Sequence, residues 1–248
     1  MKYDGVSQAE LALRLGTPGC LVLPRVTSTL DLIHELAAEG APAGTVVLAE
    51  EQVAGRGQRG RVWLSPAGGG VWLGYLVRPG ASAAGGVLAL RVGLAVVSAL
   101  ADLGAVVKLK WPNDVMLDGR KLAGVLCEGR TLPGGAEWLA VGVGINVRGP
   151  VPRELAGRAA ALDEIVSEPS RVAVLERLVP ALHLLAHTPR LTAEERGAFA
   201  LHDWLAGRRI REPIEGEVAG IDHDGALVVT TAAGERRLMS GSIVTAPG

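Results

Sequence analysis

The residues best suited to chemistry lie in a short segment rich in glycine and arginine. Residues 55–60 (GRGQRG) match the pattern G-x-G-x-x-G, but 61–66 (RVWLSP) does not begin a helix. No acidic residue follows about twenty positions on, as a dinucleotide-binding fold requires, and the Gly-Lys-Ser/Thr ending of a P-loop is missing. Arg56, Arg59 and Arg61 have no acidic residue among them and would repel one another, which favours an anion held between them. The segment predicts a flexible polyanion-binding loop, with a solvated surface loop as the alternative.

Further polar side chains lie where predicted strands end. Residues 110–114 (KWPND) join two strands, 120–124 (RKLAG) return another lysine across a hairpin, and 144–147 (GINV) end an apolar strand. A structural turn would account for the proline alone. Because α/β folds place ligands at strand ends, five polar residues are candidate binding residues. They are Lys110, Asn113, Asp114, Lys121 and Asn146.

Hydrophobic periodicity and turn residues predict an α+β (α/β) fold with a mixed β-sheet flanked by helices. The expected elements are a helix between Ser28 and Gly40, strands over 45–50, 71–78, 106–111 and 137–147, a helix over 84–103, a hairpin turning at 118–119, and a helical region over 171–205 that Pro180 kinks or divides. This gives a sheet of five or six strands, followed by a surface connection over 149–170 with one short helix.

The last forty or so residues change character and alternate short strands with turns at 224–225 and 233–234. Such spacing is typical of a small β-barrel. We therefore expect two domains, a larger one over 1–205 and a smaller one over 206–248.

Composition excludes several classes of protein. The 25 basic and 26 acidic residues leave a net charge of -1, which argues against a DNA-binding protein. The apolar region 87–107 is interrupted by Arg91 and Asp102, and the N-terminus lacks a signal peptide, so we expect a cytoplasmic protein without a membrane span. Two cysteines are too few for a disulfide scaffold, and the five histidines lack the spacing of a structural metal site.

Taken together, the motifs resemble those of biotin–protein ligases, the family that attaches biotin to carboxylase carrier domains. The matching segments are Ser28-Thr29 before a helix, 52–61 (QVAGRGQRGR), Trp63, 110–114, 120–124 and 144–147, in the order and spacing of the family. They cover about residues 25–147. The resemblance implies a class II synthetase-like catalytic domain over 1–205 and an SH3-like domain over 206–248.

The resemblance also implies a two-step reaction. Biotin and Mg-ATP form biotinyl-5′-AMP and pyrophosphate, and a lysine of a biotin carboxyl carrier protein or domain then takes the biotin and releases AMP. Lys121 and Arg56 match the catalytic positions. The implied biotin-binding residues are Ser28, Thr29, Gln52, Gly55, Arg56, Gly57, Gln58, Lys121 and Gly124. The implied ATP-binding residues are Arg56, Arg59, Arg61, Trp63, Lys110, Asn113, Asp114, Lys121 and Asn146, with Mg²⁺ near Asp114 and Asn146.

The sequence departs from the family pattern at two positions. Gln58 stands where arginine is common, and Leu30 stands where asparagine is frequent. About 25 residues precede Thr27, too few for the winged helix–turn–helix of bifunctional members, so we expect no repressor function and no DNA partner.

Three further points stay open from the sequence. A lipoate–protein ligase or octanoyltransferase is the nearest alternative enzyme, and a non-catalytic biotin-binding module is the alternative from another class. Many relatives form dimers through a sheet edge, and an edge strand such as 137–143 (EWLAVGV) could serve a homodimer. The carboxylase whose carrier is modified is not identified.

Overall fold

The computed structural model describes residues 1–78, 85–131, 137–149, 151 and 153–246. Its strands are β1 (Lys2–Tyr3), β2 (Val6–Ser7), β3 (Cys20–Val26), β4 (Val46–Gln52), β5 (Gly70–Val77), β6 (Lys108–Lys110), β7 (Asp114–Leu117), β8 (Arg120–Thr131), β9 (Glu137–Asn146), β10 (Arg209–Glu212), β11 (Gly216–Ile221), β12 (Leu227–Thr231), β13 (Gly234–Leu238) and β14 (Val244–Thr245). Its α-helices are α1 (Gln8–Leu15), α2 (Thr29–Ala38), α3 (Gly85–Ala101), α4 (Arg171–His183) and α5 (Ala193–His202). Short 3₁₀ turns lie at Gln58–Gly60, Arg153–Leu155 and Leu162–Glu164.

The main sheet has seven strands in the order β3-β4-β5-β9-β8-β7-β6. Only β3 and β4 pair in parallel, so the sheet is mixed and the predicted fold class is confirmed. The strand β3 was not predicted. It contains Pro24, which is tolerated there because β3 lies at the sheet edge, where an amide without a hydrogen-bond partner costs nothing.

The expectation that residues 137–143 form a free edge is wrong. They belong to β9, which pairs with β5 on one side and with β8 on the other. A strand that is buried on both faces has a continuous apolar sequence, which predicts the strand itself. The sequence does not specify which strands pair with it, because those pairs form between distant residues. Within the described residues the two edges of this sheet are β3 and β6.

Helices cover both faces of the sheet. On β4, Val47 belongs to a small cluster with Leu30 and Ile33 of α2, while the neighbouring Val46 and Leu48 belong to the main core with α1, α3 and α4. This alternation follows from the opposite directions of successive side chains on a strand. The predicted start of α2 is confirmed, because the Ser28 hydroxyl accepts a hydrogen bond from the Leu30 amide at 3.3 Å.

Two predictions for the middle of the chain need adjustment. Helix α4 continues through Pro180 to His183, and the helical region divides at 184–192 instead. The connection after β9 is not confined to the surface, since Ala159–Leu162 is buried. The Lys121 amide donates to the Arg158 carbonyl at 2.8 Å, which holds this segment against the start of β8. The expected helix start at Ala84 lies outside the described residues.

The C-terminal residues form a five-stranded antiparallel sheet in the order β13-β12-β11-β10-β14. Both predicted turns lie between its strands. The inner residues Val218, Leu227 and Val229 belong to the main buried core, and the Trp111 indole donates to the Gly225 carbonyl at 2.9 Å. The sheet is therefore fixed against the 110–114 turn. Among the helices described, none has the length and apolar character needed to cross a membrane.

A buried arginine ties the N-terminus to the main sheet near the ends of β4 and β9. Arg171 of α4 is 2% exposed and donates to Asp4 and to Glu50, with its guanidinium 4.0 Å from the centre of the Tyr3 ring. Arg148, two residues beyond β9, also pairs with Asp4 at 2.5 Å. Because a buried charge is tolerated only when it is paired, this network holds the N-terminus, the end of β4 and the segment after β9 together against α4.

We predict that Arg171→Met lowers the free energy of unfolding by about 3 kcal/mol, because it leaves Glu50 without its partner and Asp4 with Arg148 alone. Urea unfolding monitored by circular dichroism measures the change. Arg14→Met removes an exposed arginine that also pairs with two glutamates, and it should cost much less because solvent screens exposed pairs. Equal losses in the two variants would show that the buried network does not hold the fold.

Candidate active site

The predicted site residues come together around one cavity of about 570 Å³. Its floor is the face of β8 and β9, and its walls are the segment between β4 and β5, the 110–114 turn and residues 241–244 of the C-terminal sheet. Every site residue predicted from the sequence lines this cavity except Gly55. Gly142, Gly144 and Asn146 all face it because residues two apart on a strand share a face.

The glycine-arginine segment is an irregular hairpin in the structure. The Trp63 amide donates to the Gly55 carbonyl, and the Gly57 amide donates to the Arg61 carbonyl, both at 2.8 Å. The tip has left-handed backbone at Arg59 and Gly60, with φ of 58° and 72°. A Cβ on Gly55 would lie 2.4 Å from the Trp63 carbonyl oxygen, so this position needs glycine for the hairpin itself.

One end of the cavity carries uncharged hydrogen-bonding groups. The side-chain oxygen of Gln52 accepts from the Thr29 amide at 2.9 Å and from the Thr29 hydroxyl at 3.1 Å. The amide nitrogen of Gln52 donates to the Ser65 hydroxyl at 2.8 Å. Ser28 is 1% exposed and caps α2. These bonds orient the uncharged groups that face the cavity at this end.

The middle of the floor is bare backbone covered by an indole. A Cβ on Gly144 would lie 2.5 Å from the Trp63 ring, and one on Gly124 would lie 3.1 Å from it. The Trp63 ring nitrogen is buried without a hydrogen-bond partner. A buried donor without a partner is costly, which indicates a position built to meet a further group.

The other end is strongly basic. Lys121 pairs with Asp114 at 2.5 Å and lies 5.1 Å from the centre of the Trp63 ring. Burial lowers the pKa of Lys110; Asp114 opposes that effect, and the charge of Lys121 adds to it. Six basic residues line the cavity against one carboxylate, that of Asp114, within the described chain. The six are Arg56, Arg59, Arg61, Lys110, Lys121 and Arg158.

Two lining residues with a charged or hydroxyl side chain, Arg158 and Ser242, were missed from the sequence. Arg158 lies beside Lys121 through the backbone pairing described above, which no local pattern signals. Ser242 lies two residues before β14 and accepts hydrogen bonds from Arg59 at 3.4 Å and Arg61 at 3.1 Å. A serine after a glycine near a chain end has many ordinary explanations, so nothing in the sequence marked it.

Arg56 differs from the other cations because two carboxylates bind its guanidinium. It pairs with Asp31 of α2 and with Glu128 of β8, the latter at 2.9 Å. Glu128 also contacts Nε2 of His34 at 3.1 Å, and Nδ1 of His34 accepts from the Trp138 indole at 2.8 Å. Since an indole N–H can only donate, Nδ1 carries no proton and Nε2 donates to Glu128.

A cluster of possible metal ligands lies away from the cavity. Asp222, His223 and Asp224 bring their ligand atoms within 4.8 Å of one another. Arg237 pairs with both aspartates, at 2.7 Å in the case of Asp224, and Arg190 pairs with Asp224 at 3.3 Å. The arginines already neutralise these carboxylates, and we assign no metal to them.

The cavity thus joins an uncharged polar pocket to a cationic cleft across a glycine floor. Such an arrangement suits enzymes that bring an acid and a nucleotide together, because cations must neutralise both anions as they meet. The fold and the site define a nucleotide-dependent, acid-activating ligase.

Comparison with known proteins agrees with this class of enzyme. Residues 22–146 match the Biotin/lipoate A/B protein ligase family and residues 208–245 match the Biotin protein ligase C terminal domain. The biotin–[acetyl-CoA-carboxylase] ligase of Mycobacterium tuberculosis is 34% identical over 235 residues, which are 89% of this chain and 81% of that protein. The enzyme of the same name from Paracoccus denitrificans is 33% identical over 223 residues, covering 83% and 92%.

A solved structure is also similar. The biotin protein ligase from Aquifex aeolicus in complex with biotin and ATP superposes with a TM-score of 0.76 at 30% identity, covering 93% of this chain and 100% of that one. The chain belongs to the biotin/lipoate protein ligase family, and within it to the biotin protein ligases.

The buried histidine beside Glu128 predicts a pH dependence of stability. Burial lowers the pKa of His34 below its ordinary value of 6.5; the hydrogen bond with Glu128 opposes this, and Arg130 and Arg56 add to it. The unfolded chain therefore binds this proton more readily than the folded one, so stability falls as the pH drops below about 6.5.

We predict that His34→Gln, which can make the same two hydrogen bonds, removes this contribution. As the pH falls from 7.5 to 5.5, the unfolding free energy of the parent protein should decrease relative to that of the variant. Urea unfolding at both pH values measures this change. A difference that does not vary with pH would contradict the assignment of a neutral buried His34.

Proposed function

We propose that biotin binds at the uncharged end of the cavity and ATP at the cationic end, and that this ligase forms biotinyl-5′-AMP where they meet. The carboxylate of biotin attacks the α-phosphate of ATP, forming the mixed anhydride and releasing pyrophosphate. The ε-amine of a carrier lysine then attacks the anhydride carbonyl, forming an amide and releasing AMP. The single cavity with two chemically different ends is the observation that carries the proposal.

The biotin site is assigned to the residues of the uncharged end. Ser28, Thr29 and Gln52 offer hydroxyl and amide groups of the kind that bind an uncharged polar ring. Gly124 lets the ligand lie close to the floor, and Gly57 and Gln58 cover it from the hairpin. Gly55 acts indirectly, because it allows the hairpin to close.

The nucleotide site is assigned to the basic end. Arg59 and Arg61 of the hairpin tip and Lys110 of the turn supply positive charge for the phosphates, and Arg158 adds a cation from the opposite wall. Trp63 offers a flat ring beside the glycine floor. Asn113 donates to the Val125 carbonyl at 2.6 Å, so its main role is to hold the turn in place.

Lys121 is the proposed catalytic cation. Its ammonium lies near the middle of the cavity, next to both Gly124 and Trp63, where the carboxylate and the α-phosphate would meet. Asp114 pairs with this ammonium and holds it in the cavity until the substrates arrive. A fixed cation at the point where negative charge develops lowers the barrier without any further reorganisation.

The residues near Lys121 also fit a magnesium ion carried by the nucleotide. Asp114 supplies a carboxylate, and Asn146 keeps its amide oxygen available because its nitrogen donates to the Ala160 carbonyl at 3.0 Å. One carboxylate with neutral oxygens is typical of Mg²⁺ bound mainly through phosphates. The ion would neutralise phosphate charge when bound.

The hairpin over residues 52–65 shields the adenylate from water, because its tip contacts Ser242 across the cavity. Arg56 lines the cavity from the base of the hairpin and adds positive charge to its wall. The partner is a biotin carboxyl carrier protein or domain, and the two family matches support a catalytic domain over 1–205 and a C-terminal domain over 206–248.

We also propose where the protein acts and how it assembles. Two free thiols support a cytoplasmic protein, and burial raises the pKa of Cys20 to about 11 and that of Cys127 to about 12, which keeps both unreactive. The near-balanced charge supports a protein without a DNA partner. A homodimer formed through an edge of the described main sheet would use β3 or β6, because β9 is paired on both sides.

We predict that Lys121→Ala lowers biotin-dependent ATP–pyrophosphate exchange by at least about a hundredfold, as expected for losing a charge that stabilises the transition state. Thermal unfolding should show that the variant folds. Lys108→Ala, which removes an exposed lysine of the neighbouring β6, should exchange at the parental rate. Near-parental exchange in Lys121→Ala would remove Lys121 from the catalytic role.

A further inference from the structure

The first arginine of the hairpin is the one cation of the cavity wall, within the described chain, whose guanidinium is shared between two carboxylates. Neither Asp31 nor Glu128 lines the cavity, so these contacts direct the end of Arg56 away from it. Its Nε is buried without a partner. By contrast, among the described residues the guanidiniums of Arg59 and Arg61 hydrogen-bond only to the Ser242 hydroxyl, which leaves their charges available for an anion.

Charge balance explains why Arg56 is held in this way. Two carboxylates oppose one guanidinium, and burial alone would lower the pKa of Arg56, but the hydrogen bond with Asp31 and the charge of Glu128 raise it. The arginine therefore stays charged and bound. Moving it to a phosphate would leave both carboxylates next to each other without a cation, which is unfavourable.

The position of Glu128 is in turn set from the buried side. His34 has a side chain that is 1% exposed and donates to the same Glu128 oxygen that accepts from Arg56. Trp138 fixes the ring of His34 through its other nitrogen. A chain of hydrogen bonds thus runs from Trp138 at the start of β9 through His34 and Glu128 to the base of the hairpin.

We propose that Asp31, Glu128 and His34 are positioning residues that anchor the hairpin through Arg56 and keep it closed over the adenylate. The inference rests on the proposed function of the hairpin as a shield. It makes Arg56 the anchor of the closed hairpin and leaves Arg59, Arg61 and the lysines to bind the phosphates. The anchor joins β4, α2 and β8, so the hairpin base cannot open without breaking it.

The test compares the release of biotinyl-5′-AMP from Glu128→Gln, Asp31→Asn and Arg56→Gly with that from the parent protein. Adenylate is formed from radiolabelled biotin and ATP without carrier, and its escape is followed by filtration and by labelling of lysines on serum albumin. Each variant should release adenylate about tenfold faster than the parent, the size expected for losing one charge-assisted hydrogen bond. Glu35→Gln, which alters an exposed carboxylate of α2, should release it at the parental rate.

A double variant separates positioning from a general structural effect. If Glu128 acts through Arg56, adding Glu128→Gln to Arg56→Gly should cause no further increase in release. Full additivity, or parental release from Glu128→Gln with a normal melting temperature, would overturn the anchor. Parental protein that shows no biotin-dependent pyrophosphate exchange would instead overturn the proposed function, so the two failures are distinguishable.

Discussion

The structure depends on how the residues around one cavity hold six cations close to one another. Mutual repulsion would drive them apart, and each of the principal ones has a partner that prevents this. Lys121 has Asp114, Arg56 has Asp31 and Glu128, and Lys110 lies 5.2 Å from the centre of the Trp204 ring. Their positive charge is therefore present before any substrate arrives, which is the condition for strong electrostatic stabilisation.

The rest of the fold supplies this arrangement with a rigid frame. The central strands β8 and β9 carry glycines where the ligand and Trp63 must approach the backbone, and the apolar residues between them pack against α3 on the opposite face. The C-terminal sheet shares this core and closes the cavity with residues 241–244. Binding residues on several elements are thus held by one continuous core, which limits their movement.

Local signals predicted the parts of the fold that depend on neighbouring residues. The Ser28 cap, the glycine stop at Gly40 and the Asp118-Gly119 turn act within a few positions, and all are present. Sheet order, the course of residues 153–170 and the partners of Arg56 depend on contacts between distant residues. Arg56 and Glu128 are 72 residues apart, and no pattern within either segment specifies the pair. The motifs located the cavity, whereas the anchoring contacts required the structure.

The most direct test of the central claim is a crystal structure of the protein with biotin and ATP. We expect continuous density for biotinyl-5′-AMP. Its biotin ring should lie at Ser28, Thr29 and Gln52, and its phosphate should contact Lys121. The same structure should show Arg56 still bound to Asp31 and Glu128. A nucleotide bound outside the cavity, or a phosphate without contact to Lys121, would contradict the account.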